Sequence, residues 1–194
     1  MTRNEMITAF RVYGQQVGMQ KMRNILDNEI DVFLNSAVIE KIRQVLGTNV
    51  NAQFADKVSI QQNSISPINY VRTLVKQTPI TTNTPGDIQL MYILGVEVGG
   101  HKCRFIEPTN WYNTINDFCN APSEEYPICT FIDNKFKVNN GNDVTIGATL
   151  TYVEYPATIT NDTDCNLPEY THDEIVQLAV QKYFVSLNNT QKIN

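Results

Sequence analysis

Apolar residues recur at helical spacing near both ends of this chain and at strand spacing through its middle. Near the N-terminus Met6, Phe10, Tyr13 and Val17 draw one stripe along a helix, and Thr2-x-x-Glu5 just ahead of them is a capping box. A second helix is predicted from Asp27, whose carboxylate can cap free N–H groups, through Ile30, Phe33, Leu34, Val38, Ile42 and Val45 to a stop at Gly47. Near the C-terminus Thr171-x-x-Glu174 reads as another capping box, followed by a helix to about Leu187. On it Ile175, Leu178, Ala179 and Tyr183 line one face while Val176, Val180, Phe184 and Leu187 line the next, a sector too broad for a simple surface helix. That helix must pack on two sides.

Between these helices the pattern changes twice. From Thr48 to Ser66 the chain is rich in Asn, Gln, Ser and Thr with no sustained period, which predicts a long exposed excursion or arm. A short helix through Tyr70, Val71, Leu74 and Val75 is expected to end at Pro79, because the residue before proline is pushed out of the helical region. Beyond Pro85-Gly86, β-branched and aromatic runs predict strands at Ile88 to Leu94, Cys103 to Ile106, Ile128 to Ile132, Phe136 to Val138 and Val144 to Tyr155. Asp133-Asn134 and the run Asn139 to Asp143 supply turn conformations, so the last three strands are expected to form an antiparallel meander. Gly95, Gly99 and Gly100 suit a turn or bulge between strands, and Trp111 to Phe118 a short helical turn lying across the sheet.

The fold class that follows is α+β, with N- and C-terminal helices bundled together and a small antiparallel, barrel-like β module between them. Four segments are expected: an N-terminal helical pair over 1–47, an arm and short helix over 48–86, an antiparallel β module over 87–160, and a C-terminal helix over 161–194 packing on the first pair.

Composition narrows the function. The chain has 194 residues, of which 42% are hydrophobic and 18% charged, with 22 asparagines, so much of its polar surface is amide rather than ion. Such a surface suits permanent neighbours. A net charge of −5 gives no bulk drive toward nucleic-acid phosphates, and no Arg or Lys lies among Trp111, Tyr112 and Phe118 to make a base-stacking platform. No continuous apolar run approaches the ~20 residues of a membrane span, and no apolar signal core follows Met1, so a soluble chain without membrane contact is expected.

Candidate chemistry is sparse. His101-x-Cys103 with Cys119 and Cys129 lacks the short paired spacing of zinc ligands, so the four cysteines, Cys165 included, read as reduced and mostly buried thiols. Gly95-x-x-x-x-Gly100-His101-Lys102 has His where a phosphate-binding loop needs Lys, and no helix pattern follows it. His172, in the first turn of the last helix, has no nucleophile nearby in sequence and reads as a hydrogen bond fixing the helix start. Glu124-Glu125 and Asp173-Glu174 read as solvated or capping groups. No catalytic residue, metal or cofactor is assigned.

The segment Leu167-Pro168-Glu169-Tyr170-Thr171-His172-Asp173-Glu174-Ile175-Val176-Gln177-Leu178-Ala179-Val180 resembles the closing helix of head-to-tail adaptor and tail tubular proteins of short-tailed bacteriophages. Asn28-Glu29-Ile30-Asp31-Val32-Phe33-Leu34-Asn35-Ser36-Ala37 resembles the second helix of that group. Glu107-Pro108, Asn120-Ala121-Pro122, Tyr126-Pro127 and Val153-Glu154-Tyr155-Pro156 are similar to the β module of ring proteins from crAss-like phages, and the likeness covers roughly residues 1–46 and 100–187. The resemblance implies a non-enzymatic virion subunit, assembled in the host cytoplasm, that forms a closed ring of twelve copies below the portal. Its partners would be copies of itself, the portal and other ring or tail proteins, with DNA passing through the lumen.

A ring of this kind closes through heterologous interfaces, which need several apolar faces per subunit. The expected interface residues are Phe10, Tyr13, Phe33 and Leu34 from the first helices, Ile175, Val176, Leu178 and Phe184 from the last, and Trp111 as an anchor; burial inside one subunit is the competing explanation for each. The acidic balance would also repel DNA phosphates from a channel wall. Two rival readings are a monomeric carbohydrate- or host-surface-binding module that uses the sheet and its aromatic loop, and a hydrolase with an unrecognised site.

Overall fold

A computed structural model describes residues 1–16, 25–54, 67–80, 90–132, 135–142 and 147–191. The chain divides into a helical unit, Met1–Leu74 with Pro156–Asn194, and a β unit, Val75–Tyr155. The fold class is α+β, as the two periodicities predict, and the β unit begins at Val75 instead of residue 87.

In the helical unit α1 spans Arg3–Gln16, and its capping box forms as read from the sequence. The Thr2 N–H donates to Glu5 Oε2 at 2.8 Å and the Glu5 N–H to Thr2 Oγ1 at 3.4 Å. Met6 and Phe10 are fully buried and Tyr13 is half-buried. Val17, the last position of the predicted stripe, lies outside the described residues.

Helix α2 spans Asp27–Phe54, beginning where the pattern predicts but differing in the residue that caps it and in where it ends. Glu29 turns back to accept the Leu26 N–H at 3.2 Å, so Leu26 occupies the cap position while Arg11 draws the Asp27 carboxylate away. Gly47 does not stop the helix. Glycine costs a helix interior only about 1 kcal/mol relative to alanine, and it ends a helix when the chain turns left-handed there. The expected arm is therefore helical over its first residues, and 55–66 lie outside the described residues.

The expected short helix stands as a 3-10 helix, Pro67–Leu74, which holds Tyr70, Val71 and Leu74; it ends before Val75 instead of running on towards Pro79, and Val75 is the first residue of a strand, β1, Val75–Ile80. Pro79 lies inside it, which the topology permits because β1 is an edge strand and an edge proline leaves no central ladder bond unmade. Helix α4 (His172–Gln191) follows a 3-10 turn at Glu169–Thr171. Thr171 makes no capping box, because its hydroxyl donates to the Pro168 carbonyl at 2.7 Å and Glu174 pairs with Lys41.

α4 lies against both α1 and α2. Much of its two-sided apolar sector is covered inside the chain: Ile175, Val176 and Ala179 are fully buried, and Tyr183 meets Phe10 and Phe33 edge to face at centroid distances of 6.0 and 5.3 Å. Polar ties run over this apolar packing. Arg3 forks onto Asp31 at 2.9 and 2.7 Å, Tyr13 donates to Asp173 at 3.0 Å, and Lys182 pairs with Glu40. Asn35 clasps the backbone of Ile159 through both its amide atoms, at 2.8 and 3.1 Å.

The β unit holds two sheets. Strands β1, β7 (Ala148–Glu154), β2 (Leu90–Val98) and β3 (His101–Lys102) form one in the order β1-β7-β2-β3, all antiparallel. The other has the order β4-β5-β6, in which β4 (Arg104–Phe105) runs parallel to β5 (Ile128–Ile132) and β6 (Lys135–Asn139) antiparallel to it. The expected meander does not form. β5 and β6 make a hairpin, but β7 crosses to the centre of the other sheet, where its Ala148, Leu150 and Tyr152 face Phe136, Val138 and Cys129 across a shared core. The asparagine-rich turn after β6 thus changes sheets instead of joining neighbours. Gly99 and Gly100, at φ 56° and 84°, turn β2 into β3, and Gly95 sits at a register shift. The helical turn, α3, covers Trp111–Ile115 and stops short of Phe118.

Candidate interaction surfaces

The nine residues expected at subunit interfaces fall into two groups. Phe10, Leu34, Trp111, Ile175 and Val176 are buried within the chain, so its own side chains cover them. Tyr13, Phe33, Leu178 and Phe184 are half-buried. The first group consists of core positions, because a periodic apolar stripe on a helix reports burial without saying whether the cover belongs to the same copy.

The most exposed apolar residues of α1 and α2 stand off the stripes. On α1, Val12 is 46% exposed and lies with Ala9 and Tyr13 in a shallow groove of about 420 Å³ rimmed by Glu5. On α2, Val32 is 65% exposed and, with Ile25, Phe33 and Tyr183 of α4, lines a second groove of about 360 Å³ beside Glu29. Burial, and then the charge of Glu29, push the Tyr183 phenol above its ordinary pKa, so the ring stays neutral and acts as an apolar wall. Neither Val12 nor Val32 was singled out by the sequence pattern. The signal available was an apolar residue standing off its helix's buried stripe.

In the β unit the half-exposed Phe105 and the exposed Tyr112, Phe118 and Tyr126 leave aromatic surface uncovered, Phe118 completely. A polar cleft of about 480 Å³ lies there, lined among others by Arg104, Phe105, Glu107, Asn113 and Asp117. Much of its polar equipment serves the loop itself. Asp117 accepts from the Asn120 amide at 2.6 Å and the Cys119 N–H at 3.0 Å, which holds its carboxyl below the usual range, and Arg104 donates to the Asn120 carbonyl at 2.9 Å.

No protein-family model matches the chain, and no curated protein matches it.

His172 is buried, and its Nε2 lies 2.9 Å from the Leu167 carbonyl at the start of α4, as expected from sequence; its Nδ1 has no partner among the described residues. All four cysteines are free, but only Cys129 is buried, with Cys103 and Cys165 intermediate and Cys119 exposed. The expectation of mostly buried thiols is corrected accordingly: Cys119 sits in the exposed turn after α3, which gives it no cover. Among the described residues no three His, Cys, Asp or Glu side chains converge as a metal site, and no helix is long and apolar enough to cross a membrane.

Proposed function

We propose that this chain is a non-enzymatic structural subunit of a tailed-bacteriophage particle, one of about twelve copies in a ring of the neck or tail below the portal. The observation that carries the reading is the pair of separate apolar grooves on the helical unit, one on α1 around Val12 and one on α2 and α4 around Val32. A closed ring needs two different patches per subunit, each fitting the other on the next copy, whereas a two-fold dimer needs only one. The segments that carry the phage resemblance fall on α4, on α2 and in or beside the β unit, in keeping with the closing helix, second helix and β module they are similar to. In this reading DNA crosses a lumen whose acidic and amide-rich wall repels phosphate, and the ring's other partners are the portal and neighbouring tail proteins.

Native mass spectrometry of the purified chain, alone and mixed with its portal, tests the assembly. Closed multimers of a single size, formed alone or on the portal, are expected. A monomer at every concentration, with the portal present, contradicts the proposal.

A second reading rests on the polar cleft of the β unit beside Phe105, a combination of amide, charge and aromatic face that suits a saccharide. In that case the chain would be a host-surface-binding module. Retention on immobilised glycans, lost in Asn113→Ala and Glu107→Ala, would favour it over the ring.

A further inference from the structure

The turn after β6 holds the chain's only Asn-Gly step, Asn140-Gly141. At such a step the backbone nitrogen that follows the asparagine can attack its side-chain carbonyl, and glycine, with no Cβ, leaves that nitrogen unhindered. In this turn both reacting groups are engaged elsewhere. The Gly141 N–H donates to Asn139 Oδ1 at 2.7 Å, and Asn140 Oδ1 accepts the Asn142 N–H at 3.1 Å. The turn is also held from outside: Asn142 Nδ2 donates to Glu124 Oε1 at 2.8 Å, and Gly141 lies so near Pro122 that a Cβ on it would stand 2.6 Å from the Pro122 carbonyl oxygen. We propose that Asn140 is a latent deamidation site, closed to its own backbone while the turn is clamped on the 122–124 loop and open to it once the clamp releases.

The attack makes two demands that the clamp opposes. The Gly141 nitrogen must shed its proton, and that proton sits in the hydrogen bond to Asn139, which is lost when it leaves. The Asn140 side chain must swing back over its own peptide group, which breaks its bond to Asn142 and rotates the backbone of a turn where Gly141 already holds φ 85° against Pro122. The closed turn therefore reacts only through local opening.

Once it opens, the Gly141 nitrogen bonds to Asn140 Cγ, the Cγ–Nδ2 bond breaks, and Nδ2 leaves as ammonia with the proton that Gly141 gave up. Water then opens the resulting succinimide at either of its carbonyls, leaving aspartate or isoaspartate at position 140; water is the only co-reactant. Isoaspartate lengthens the backbone by one carbon beside Gly141, where Pro122 leaves no room to spare, so the turn cannot close again in its first form.

The test incubates the full chain at mildly alkaline pH, folded and in guanidinium chloride, and follows the amide-to-acid conversion of residue 140 by peptide mass spectrometry. Conversion in the folded chain is expected to be slower by about tenfold or more. Asn139→Ala, which removes the acceptor of the Gly141 N–H, should raise the folded rate about fivefold, the worth of one hydrogen bond, and leave the unfolded rate unchanged, with native circular dichroism as the check on its fold. Asn139→Asp keeps an acceptor and should stay as slow as the parent chain. The comparison of folded with unfolded parent needs no substitution, so it decides even if Asn139→Ala does not fold. Equal rates in the folded and unfolded parent, or a natively folded Asn139→Ala as slow as the parent, would overturn the assignment.

Discussion

Gly141 holds a left-handed backbone, φ 85°, in the turn after β6, and a Cβ built there would stand 2.6 Å from the Pro122 carbonyl oxygen. Both conditions favour glycine. Gly141→Ala is expected to destabilise the β unit by about 1–3 kcal/mol in urea unfolding, and a change within about 0.5 kcal/mol would contradict the steric argument. The Arg3–Asp31 pair makes a second demand. Its side chains are only 9% and 14% exposed, so Asp31→Asn leaves a nearly buried guanidinium without its anion, at a cost of about 3 kcal/mol by the same measurement. A loss under about 1 kcal/mol would show that water replaces the carboxylate. The sequence foretold neither contact, since Arg3 and Asp31 are 28 residues apart on different helices. His172 was readable, because a histidine in the first turn of a helix with no nearby nucleophile has few roles besides a local hydrogen bond.

Elements were readable where one period dominated and misread where tertiary context chose between two. The capping box of α1, the apolar stripe of α2 and the strand Ile128–Ile132 all stand where the pattern placed them. Val75 and Pro79 show the opposite case: a proline that ends a helix is also tolerated at a sheet edge, and only the pairing of β1 with β7 decides. The crossing of β7 to the other sheet was unreadable for a related reason, since turn residues report a change of direction without naming the next partner. The last helix had to pack on two sides, and α1 and α2 supply both.

Across the α2–α4 contact, the Glu40–Lys182 pair predicts a pH effect with a definite sign. Lys182, chiefly through its hydrogen bond, holds the Glu40 carboxyl below its ordinary 4.5, so folding favours the ionised form. The pair's contribution is present above that ordinary value and is lost as the pH falls through the lowered one. In Glu40→Gln the fall in Tm on acidification should be shallower than in the parent chain, and identical slopes would remove the pair from the acid response.

In the proposed ring the two grooves would form the contacts between copies. Val12 and Val32 are exposed and off the core stripes, so Val12→Asp and Val32→Asp should each leave the unfolding free energy within about 0.5 kcal/mol while abolishing assembly. Unimpaired assembly in both variants would place the contacts elsewhere. Because each ring contact would join one groove to the other, mixing the two variants should not restore closed rings, since every closed circuit would still contain a defective face. The most direct test of the ring is electron microscopy of the native particle. A closed ring of this fold in the neck or tail, with the helical grooves buried between adjacent copies, is expected. Particles that lack the chain, or carry it as isolated copies with both grooves facing solvent, would contradict it.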